Sequence, residues 1–195
     1  MKNSGGKVFS AFGFTQLIML VAVSVALVLA YNPWRWGNVR DDLMRSYPAI
    51  DIIDGATLER WTQQVHNEDT RRKPLLIDVR SDAEFAVSHL VGAQHISAGA
   101  SVTEIGQLIK LDAADAESRP PVVVYCAVGY ASSEFVDRLK RLGIVRVQML
   151  DGGIFRWAND SRPLAGANGA AVNKVHPGNY SYSGLLNRSR RAPVK

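Results

Sequence analysis

Cysteine is almost absent from this sequence, which holds a single one, Cys126, among 195 residues. One cysteine excludes a framework of intramolecular disulfide bonds and a zinc site built mainly from cysteine ligands. Histidine is also scarce, and neither His89 nor His95 has a third ligand at a metal-site spacing. We therefore expect no metal site and no cofactor, and any cysteine chemistry must depend on Cys126.

Acidic residues are missing from both ends of the chain. Residues 1–40 and 162–195 contain ten basic and no acidic side chains, whereas residues 41–161 contain 13 basic and 18 acidic ones. Basic arms beside an apolar segment suit the anionic headgroups of a membrane, so membrane lipid is an expected partner. The middle of the chain shows no basic, aromatic-rich surface, and we expect no nucleic-acid partner.

Residues 8–30 contain no charged side chain, a run of 23 residues. About 20 apolar residues span a bilayer as a helix, so this run predicts a transmembrane helix that acts as a signal-anchor. Tyr31, Trp34 and Trp36 follow it like the aromatic belt of a membrane interface. A cleaved signal peptide and a buried soluble helix are the alternatives. The short basic segment 1–7 favours a single-pass membrane protein whose domain lies on the outer, periplasmic face.

Short elements fill the rest of the chain. Residues 31–49, punctuated by proline and glycine, are predicted to form a juxtamembrane linker, and residues 164–195 a basic, flexible C-terminal tail. The apolar patterns predict strands over 75–79, 93–96, 121–125 and 145–150, and helices over 57–67, from Ser81, over 101–110, over 132–142 and over 154–158. Strands that alternate with helices and are apolar throughout predict a parallel sheet covered on both faces. Catalytic residues of such sheets lie beyond the carboxyl ends of the strands, and Cys126 follows the strand 121–125 directly.

The segment from Cys126 to Ala131 connects that strand to a helix. A loop that curls between a strand and a helix N-terminus directs backbone N–H groups at its centre, and Gly129 permits the tight curvature. Such a loop stabilises an anion, and a thiolate is the nucleophilic form of cysteine. Cysteine is also a common inert residue of protein cores, so the local pattern alone leaves both interpretations open.

The sequence contains four separated motifs, which are Ile77–Arg80 with Glu84–Phe85, Ser88–Ile96, Val122–Ser132, and Leu150–Gly153 with Trp157. In order and spacing they resemble the motifs of the rhodanese family of sulfurtransferases. Among them, Val122–Ser132 resembles the active-site loop of that family. The resemblance covers residues 50–163, and the segments 152–159 and 175–177 are similar to membrane-anchored bacterial members with one rhodanese domain.

The resemblance implies a fold and a reaction. The expected fold is α/β and rhodanese-like, with a five-stranded parallel sheet flanked by helices on both faces. The implied activity is transfer of sulfane sulfur through a persulfide on Cys126, from a small sulfur donor or a persulfidated protein to a thiol, cyanide or a protein. The implied binding residues of the persulfide are Ala127, Val128, Gly129, Tyr130, Ala131 and Ser132, with Arg80 as a charge for the donor.

Two positions of the segment after Cys126 depart from the family pattern, and Ser88 stands where the family usually has glycine. Many active members carry arginine where this chain has Ala127 and Ala131. Charge-assisted bonds to a dianion contribute roughly 1.5–3 kcal/mol each, so their loss disfavours thiosulfate as the donor. It also leaves a second hypothesis open, in which the domain is a non-catalytic module that recruits a partner to the membrane. A phosphatase is not expected, because Ser132 stands where the phosphate-binding arginine of related folds would be.

Several polar residues have a structural interpretation beside the functional one. Arg80 could form an ion pair with Glu84 or another acid that fixes its loop. His89 and His95 are expected to be hydrogen-bonded loop and strand-end residues, and Ser132 and Ser133 to cap the helix that follows Cys126. Tyr130 and Trp157, the aromatic residues of the motifs, are candidates either for the mouth of a pocket or for the core.

Overall fold

The computed structural model describes residues 11–30, 36–63, 73–109, 120–178 and 181–193. The chain divides into two compact units, residues 1–33 and 34–195. The described part of the first unit is helix α1, Ala11–Ala30, and the side chains of residues 17–27 in it are exposed.

The transmembrane helix predicted over residues 8–30 is not confirmed. In the part of the chain that the structure describes, no helix is long and apolar enough to cross a membrane. The basic segment 1–7, the aromatic residues Tyr31 and Trp34, and the end of the helix predicted over 57–67 lie outside the described residues.

The second unit alternates helices with short strands. Its helices are α2 Trp36–Ser46, α3 Gly55–Gln63, α4 Asp82–Val87, α5 Val102–Ile109, α6 Tyr130–Arg141 and α7 Gly153–Asn159. Its strands are β1 Asp51–Ile53, β2 Leu75–Asp78, β3 His89–Leu90, β4 Gln94–His95, β5 Val122–Tyr125, β6 Val147–Leu150, β7 Leu164–Ala165 and β8 Ala171–Val172. Two 3₁₀ turns follow, Ser183–Leu185 and Arg188–Arg190.

The main sheet has five parallel strands in the order β1-β6-β5-β2-β4, which confirms the predicted architecture. Strand β5 lies at its centre and is fully buried, as an unbroken β-branched run requires. Its register pairs Asp78 at the end of β2 with Tyr125 at the end of β5. The loops that follow these two strands therefore leave the sheet side by side, at the same edge.

Helices and loops cover both faces of this sheet, because successive side chains of a strand point to opposite sides. Val122 and Val124 belong to one core cluster, and Val123 and Tyr125 to the other. The first cluster contains buried side chains of α2, α5 and α6, such as Val39, Leu43, Ile105, Phe135 and Leu139. The second contains those of α3, α7 and the C-terminal region, such as Leu58, Ile154, Phe155, Val175 and Leu186.

Helix boundaries follow the expected capping chemistry at three of four places. Ser81 and Glu84 form the predicted capping box of α4, and Ser101 and Glu104 exchange the same bonds at α5. Gly143, with φ +83°, follows the end of α6 as predicted. The predicted cap by Ser132 and Ser133 is wrong, because α6 begins earlier, at Tyr130, and no side chain caps its N-cap residue Gly129.

Two segments expected to be extended or flexible are folded. The predicted linker contains α2, which buries Val39 and Leu43. The predicted flexible tail contributes β7 and β8 to a small antiparallel sheet with β3, and its Val175 and Leu186 are completely buried. The charge pattern did not predict this burial. Only a few widely spaced apolar residues of each segment pack into the core, and the rest of the segment is polar.

Candidate functional site

The loop after β5 is the candidate site. It runs from Cys126 to Gly129 and leads into α6. Strand β5 ends where its apolar run ends, and four residues separate it from α6. The chain therefore changes direction within only four residues. Cys126 lies at its start, buried and 5 % exposed, and does not form a disulfide bond.

The sulfur of Cys126 is within hydrogen-bonding distance of two groups. The Gly129 N–H donates to Sγ with an N to S distance of 3.1 Å. The Ser132 Oγ lies 3.5 Å from the same sulfur, and it also lies 2.9 Å from the Gly129 carbonyl oxygen. A hydroxyl has one proton, so Ser132 donates it either to the carbonyl or to the sulfur.

Helix α7 fixes the orientation of the loop from behind. The N–H of Ile154 donates to the Cys126 carbonyl at 2.9 Å, and the N–H of Phe155 donates to the Ala127 carbonyl at 3.1 Å. The C=O and N–H of a trans peptide point in opposite directions, so the N–H groups of Ala127 and Val128 face away from α7. An ideal Cβ at Gly153 would lie 2.3 Å from the Cys126 carbonyl oxygen, so only glycine permits this contact.

Gly129 is the second glycine on which the loop depends. Its φ of +133° lies in a region that side chains rarely adopt, and its N–H is the one that meets the sulfur. An ideal Cβ there would lie 2.6 Å from Leu43 Cδ1 and 3.2 Å from Met149 Sδ. Helix α2 therefore packs directly on the loop.

Arg80 occupies the neighbouring loop, after β2. Its guanidinium donates to both carboxylate oxygens of Asp78, with a shortest distance of 2.6 Å, and to the Ser88 carbonyl at 2.6 Å. Burial tends to lower the pKa of Arg80, but the hydrogen bond and the charge of Asp78 outweigh this effect and raise it. The predicted ion pair is thus present, with Asp78 as the partner. The proposed contact of Arg80 with a sulfur donor stays a prediction.

Tyr125 belongs to the same buried group, immediately before Cys126. Its hydroxyl oxygen accepts a hydrogen bond of 3.0 Å from the Leu90 N–H. Burial, and then the charge of Asp78, raise the pKa of Tyr125 well above its usual value. This side chain therefore ties β3 to the end of β5.

The histidines have the structural roles expected for them. The ring of His89 stacks on Phe85 and its Nδ1 lies 3.0 Å from the Phe85 carbonyl oxygen. His95 joins the Arg80 carbonyl, at 2.7 Å, to the Asp82 carboxylate, at 3.1 Å. Trp157 is buried in the core and donates to the Pro163 carbonyl, so it does not line the mouth of the site.

Residues outside the predicted domain also reach the loop. The Tyr130 hydroxyl donates to Asp42 of α2 at 3.0 Å, and the Tyr130 ring stacks on Tyr182 with centroids 5.3 Å apart. An ideal Cβ at Gly178 would lie 4.0 Å from the Ala127 Cβ. Sequence reasoning missed Asp42, Tyr182 and Gly178, because each lies in a segment assigned to a linker or a tail. The spacing of four residues between Val39 and Leu43, which places both on one face of a helix, was the available signal that α2 is amphipathic.

Comparisons with known proteins agree with this geometry. The family profile described as a rhodanese-like domain matches residues 61–160. The probable adenylyltransferase/sulfurtransferase MoeZ of Mycobacterium tuberculosis is 36% identical over 96 residues, which are 49% of this chain and 23% of that protein. A tRNA uridine(34) hydroxylase of Burkholderia ambifaria is 30% identical over 105 residues, which are 54% of this chain and 36% of that protein.

One solved structure supports the fold. The BH2092 protein of Bacillus halodurans superposes with a TM-score of 0.52 at 17% identity, covering 75% of this chain and 98% of that one. The chain spans only between about a quarter and about a third of the curated relatives named above, at 23% and 36% of their lengths. With its parallel sheet, its cysteine loop at the end of β5 and a match over residues 61–160, the chain belongs to the rhodanese-like domain family.

Proposed function

We propose that this chain is a sulfurtransferase that carries sulfane sulfur as a persulfide on Cys126. The observation that supports this best is the 3.1 Å contact between the Gly129 N–H and the Cys126 sulfur. In the same loop, hydrogen bonds from α7 hold the carbonyl groups of Cys126 and Ala127. Backbone N–H groups stabilise an anionic sulfur without requiring a charged side chain. A cysteine that only filled the core would not need this arrangement.

The reaction has two half-reactions. The Cys126 thiolate attacks the outer sulfur of a donor, a bond forms between the two sulfurs, and the remainder of the donor leaves with the electron pair of the broken bond. An acceptor nucleophile, such as a thiolate or cyanide, then attacks the outer sulfur of the persulfide and regenerates the Cys126 thiolate. We propose Ala127 to Ser132 as the residues that surround the sulfur in both steps, with Ser132 as a hydroxyl donor. We also propose that thiosulfate is a poor donor, because Ala127 and Ala131 provide no cation.

Intact-mass spectrometry of the full-length chain tests the proposal. After incubation with a sulfur donor, we expect a mass gain of one sulfur atom, and addition of cyanide or a thiol should remove it. Cys126→Ser, which retains the size of the side chain, should show neither change. A folded wild-type protein that gains no sulfur from thiosulfate or from an alkyl thiosulfonate anion would overturn the proposal.

We further propose that the domain acts at a membrane, on the periplasmic face, and that the N-terminal unit attaches it. Large apolar side chains of α1 are exposed to solvent, including Leu17, Met19, Leu20 and Leu27, each more than half exposed. Burial of such side chains in lipid is favourable by about 1.5–3 kcal/mol each. In flotation with anionic phospholipid vesicles, we expect the full-length chain to rise with the lipid and a chain lacking residues 1–33 to remain at the bottom. Equal flotation of both would contradict this, and a reporter fused after Lys195 tests the membrane face.

A further inference from the structure

Helix α2 places a carboxylate beside the cysteine loop. Asp42 accepts the 3.0 Å hydrogen bond from Tyr130, four residues after Cys126. The next residue of α2, Leu43, packs over Gly129, whose N–H meets the sulfur. Two consecutive residues of α2 therefore contact the end of the loop and the first residue of α6, and one of the two is charged.

The C-terminal region adds an aromatic wall. Tyr182 stacks on Tyr130, with an angle of 26° between the rings. Burial is the main cause that raises the pKa of Tyr182, with smaller contributions from the neighbouring Cys126 and Asp42. Asp42, Tyr130 and Tyr182 are called the entrance cluster below.

Two carboxylates, those of Asp42 and Glu84, lie near the loop. The loop has no cation of its own, since alanine occupies positions 127 and 131. Arg80 is engaged by Asp78, and Arg45, which lies 3.7 Å from Asp42, has 77% of its side chain exposed to water. Glu84 contributes a second carboxylate, whose Oε1 lies 3.1 Å from an ideal Cβ at Gly178. Asp42 is itself 49% exposed, but Arg45 is more exposed, so solvent screens the charge of Arg45 more strongly.

We infer that the entrance cluster determines donor specificity, admitting sulfur donors with at most one negative charge and disfavouring the thiosulfate dianion. This inference rests on the proposed sulfur transfer to Cys126. The negative charge of Asp42 repels anionic donors. Tyr130 holds the Asp42 carboxylate by its hydrogen bond, and Tyr130 and Tyr182 together exclude water from one side of that carboxylate. Two of these three residues, Asp42 and Tyr182, then lie outside the segment 61–160 that gives the family match.

Two sulfur donors that react in the same way but differ in charge distinguish an effect of donor charge from an effect on the reactivity of Cys126. Thiosulfate transfers its outer sulfur to the Cys126 thiolate and releases sulfite, a dianion. Methanethiosulfonate transfers its outer sulfur in the same way and releases methanesulfinate, a monoanion. In each case one sulfur–sulfur bond breaks, one forms, and the total charge is conserved.

The informative variant is Asp42→Asn, which removes the charge but retains an oxygen that accepts from Tyr130. The matched control is Asp41→Asn, which removes the same charge from an exposed position on the same helix. We measure kcat/KM of the full-length chain for both donors, with cyanide as acceptor. Removal of a unit charge that acts through partly solvated space should change kcat/KM for thiosulfate by about three- to tenfold. The interaction energy is proportional to the donor charge, so kcat/KM for the monoanion should change by the square root of that factor.

The expected result is a rise in the ratio of thiosulfate to methanethiosulfonate kcat/KM of about two- to threefold in Asp42→Asn, with Asp41→Asn unchanged. Tyr182→Ala, which admits water beside Asp42, should also raise the ratio. Equal changes for both donors, or an equal effect of Asp41→Asn, would overturn the inference alone, since sulfur would still load on Cys126. Failure of both donors to load sulfur on the wild type would overturn the proposed function together with the inference.

Discussion

The loops after β2 and β5 leave the sheet side by side and are stabilised in opposite ways. The first contains a buried ion pair, Asp78 with Arg80, whose charges neutralise each other. The second contains a sulfur that the Gly129 N–H and the Ser132 hydroxyl contact, and it has no charged side chain between Cys126 and Ser132. The comparison assigns the charged loop a structural role and is consistent with the sulfur chemistry proposed for the uncharged loop. An anion that forms on Cys126 then meets backbone dipoles that need little reorganisation.

Asp78→Asn breaks the charged loop and should have the largest effect on stability. It leaves the buried Arg80 without its counter-ion, and breaking a buried pair costs about 3–5 kcal/mol. We expect a loss of this size in the free energy of unfolding, measured by urea denaturation, while folded molecules still load sulfur on Cys126. Asp82→Asn is the control, because the Asp82 carboxylate is 97% exposed and should contribute little. Unchanged stability with lost sulfur loading would instead assign the ion pair to donor binding.

Gly129→Ala breaks the uncharged loop. The side chain would require a φ of +133° and would meet Leu43, so we expect a loss of about 1–3 kcal/mol in the free energy of unfolding. Displacement of the Gly129 N–H should also slow sulfur transfer about ten- to a hundredfold, since one oriented donor is worth about 10²–10³ in other enzymes. Gly143→Ala is the matched control, with φ +83° and no atom within 4 Å of the added Cβ. It should lose stability and keep full activity; equal activity losses would attribute the effect to strain alone.

Ser132→Ala sharpens the comparison by removing the side-chain donor at 3.5 Å from the sulfur. A neutral hydrogen bond contributes about 0.5–1.5 kcal/mol, so the rate of sulfur loading should fall about two- to tenfold. Ser133→Ala is the control, because the Ser133 hydroxyl contacts Met149 Sδ rather than Cys126. Stopped-flow loading kinetics compare the two variants, and identical rates would remove Ser132 from the mechanism.

Tyr130→Phe should lower the free energy of unfolding by about 0.5–1.5 kcal/mol, because it loses the hydrogen bond to Asp42. Burial and Asp42 raise the pKa of Tyr130 to about 12, above the usual value of about 10. The wild type should therefore be more stable than Tyr130→Phe by the full amount below a pH of about 10. This difference in the free energy of unfolding should disappear as the pH rises through about 12. Urea unfolding at several pH values measures this, and a double-mutant cycle with Asp42→Ala isolates the pair. An advantage that grows with pH would contradict the assignment.

Much of the core and of the cysteine loop followed from local chemistry. The β-branched run before Cys126 has no polar break, so β5 and the loop position were predictable. The capping boxes at Ser81 and Ser101 fixed two helix starts, because the pattern specifies reciprocal hydrogen bonds. The start of α6 was misplaced because Gly129, rather than a serine, occupies its N-cap.

The remainder depends on contacts that local patterns do not encode. Strand β1 has three residues and β7 and β8 have two each, which is too short for a period to be visible. Helix α2 buries only two residues, and its place against Gly129 is a tertiary contact. Tyr182 reaches the site only because Val175 and Leu186 anchor the segments before and after it. Asp42 and Tyr182 of the entrance cluster were therefore not predictable from the sequence, whereas Tyr130 was.

The amide resonance of Gly129 tests the central claim most directly. In ¹⁵N-labelled full-length protein, conversion of Cys126 to its persulfide, verified by a mass gain of one sulfur atom, should shift the Gly129 N–H signal, and Cys126→Ser should show no shift with the same donor. The account predicts that cyanide returns the signal to its original position as the sulfur is released. A persulfide that forms and discharges while the Gly129 signal stays unchanged would contradict the claim that this loop holds the transferred sulfur.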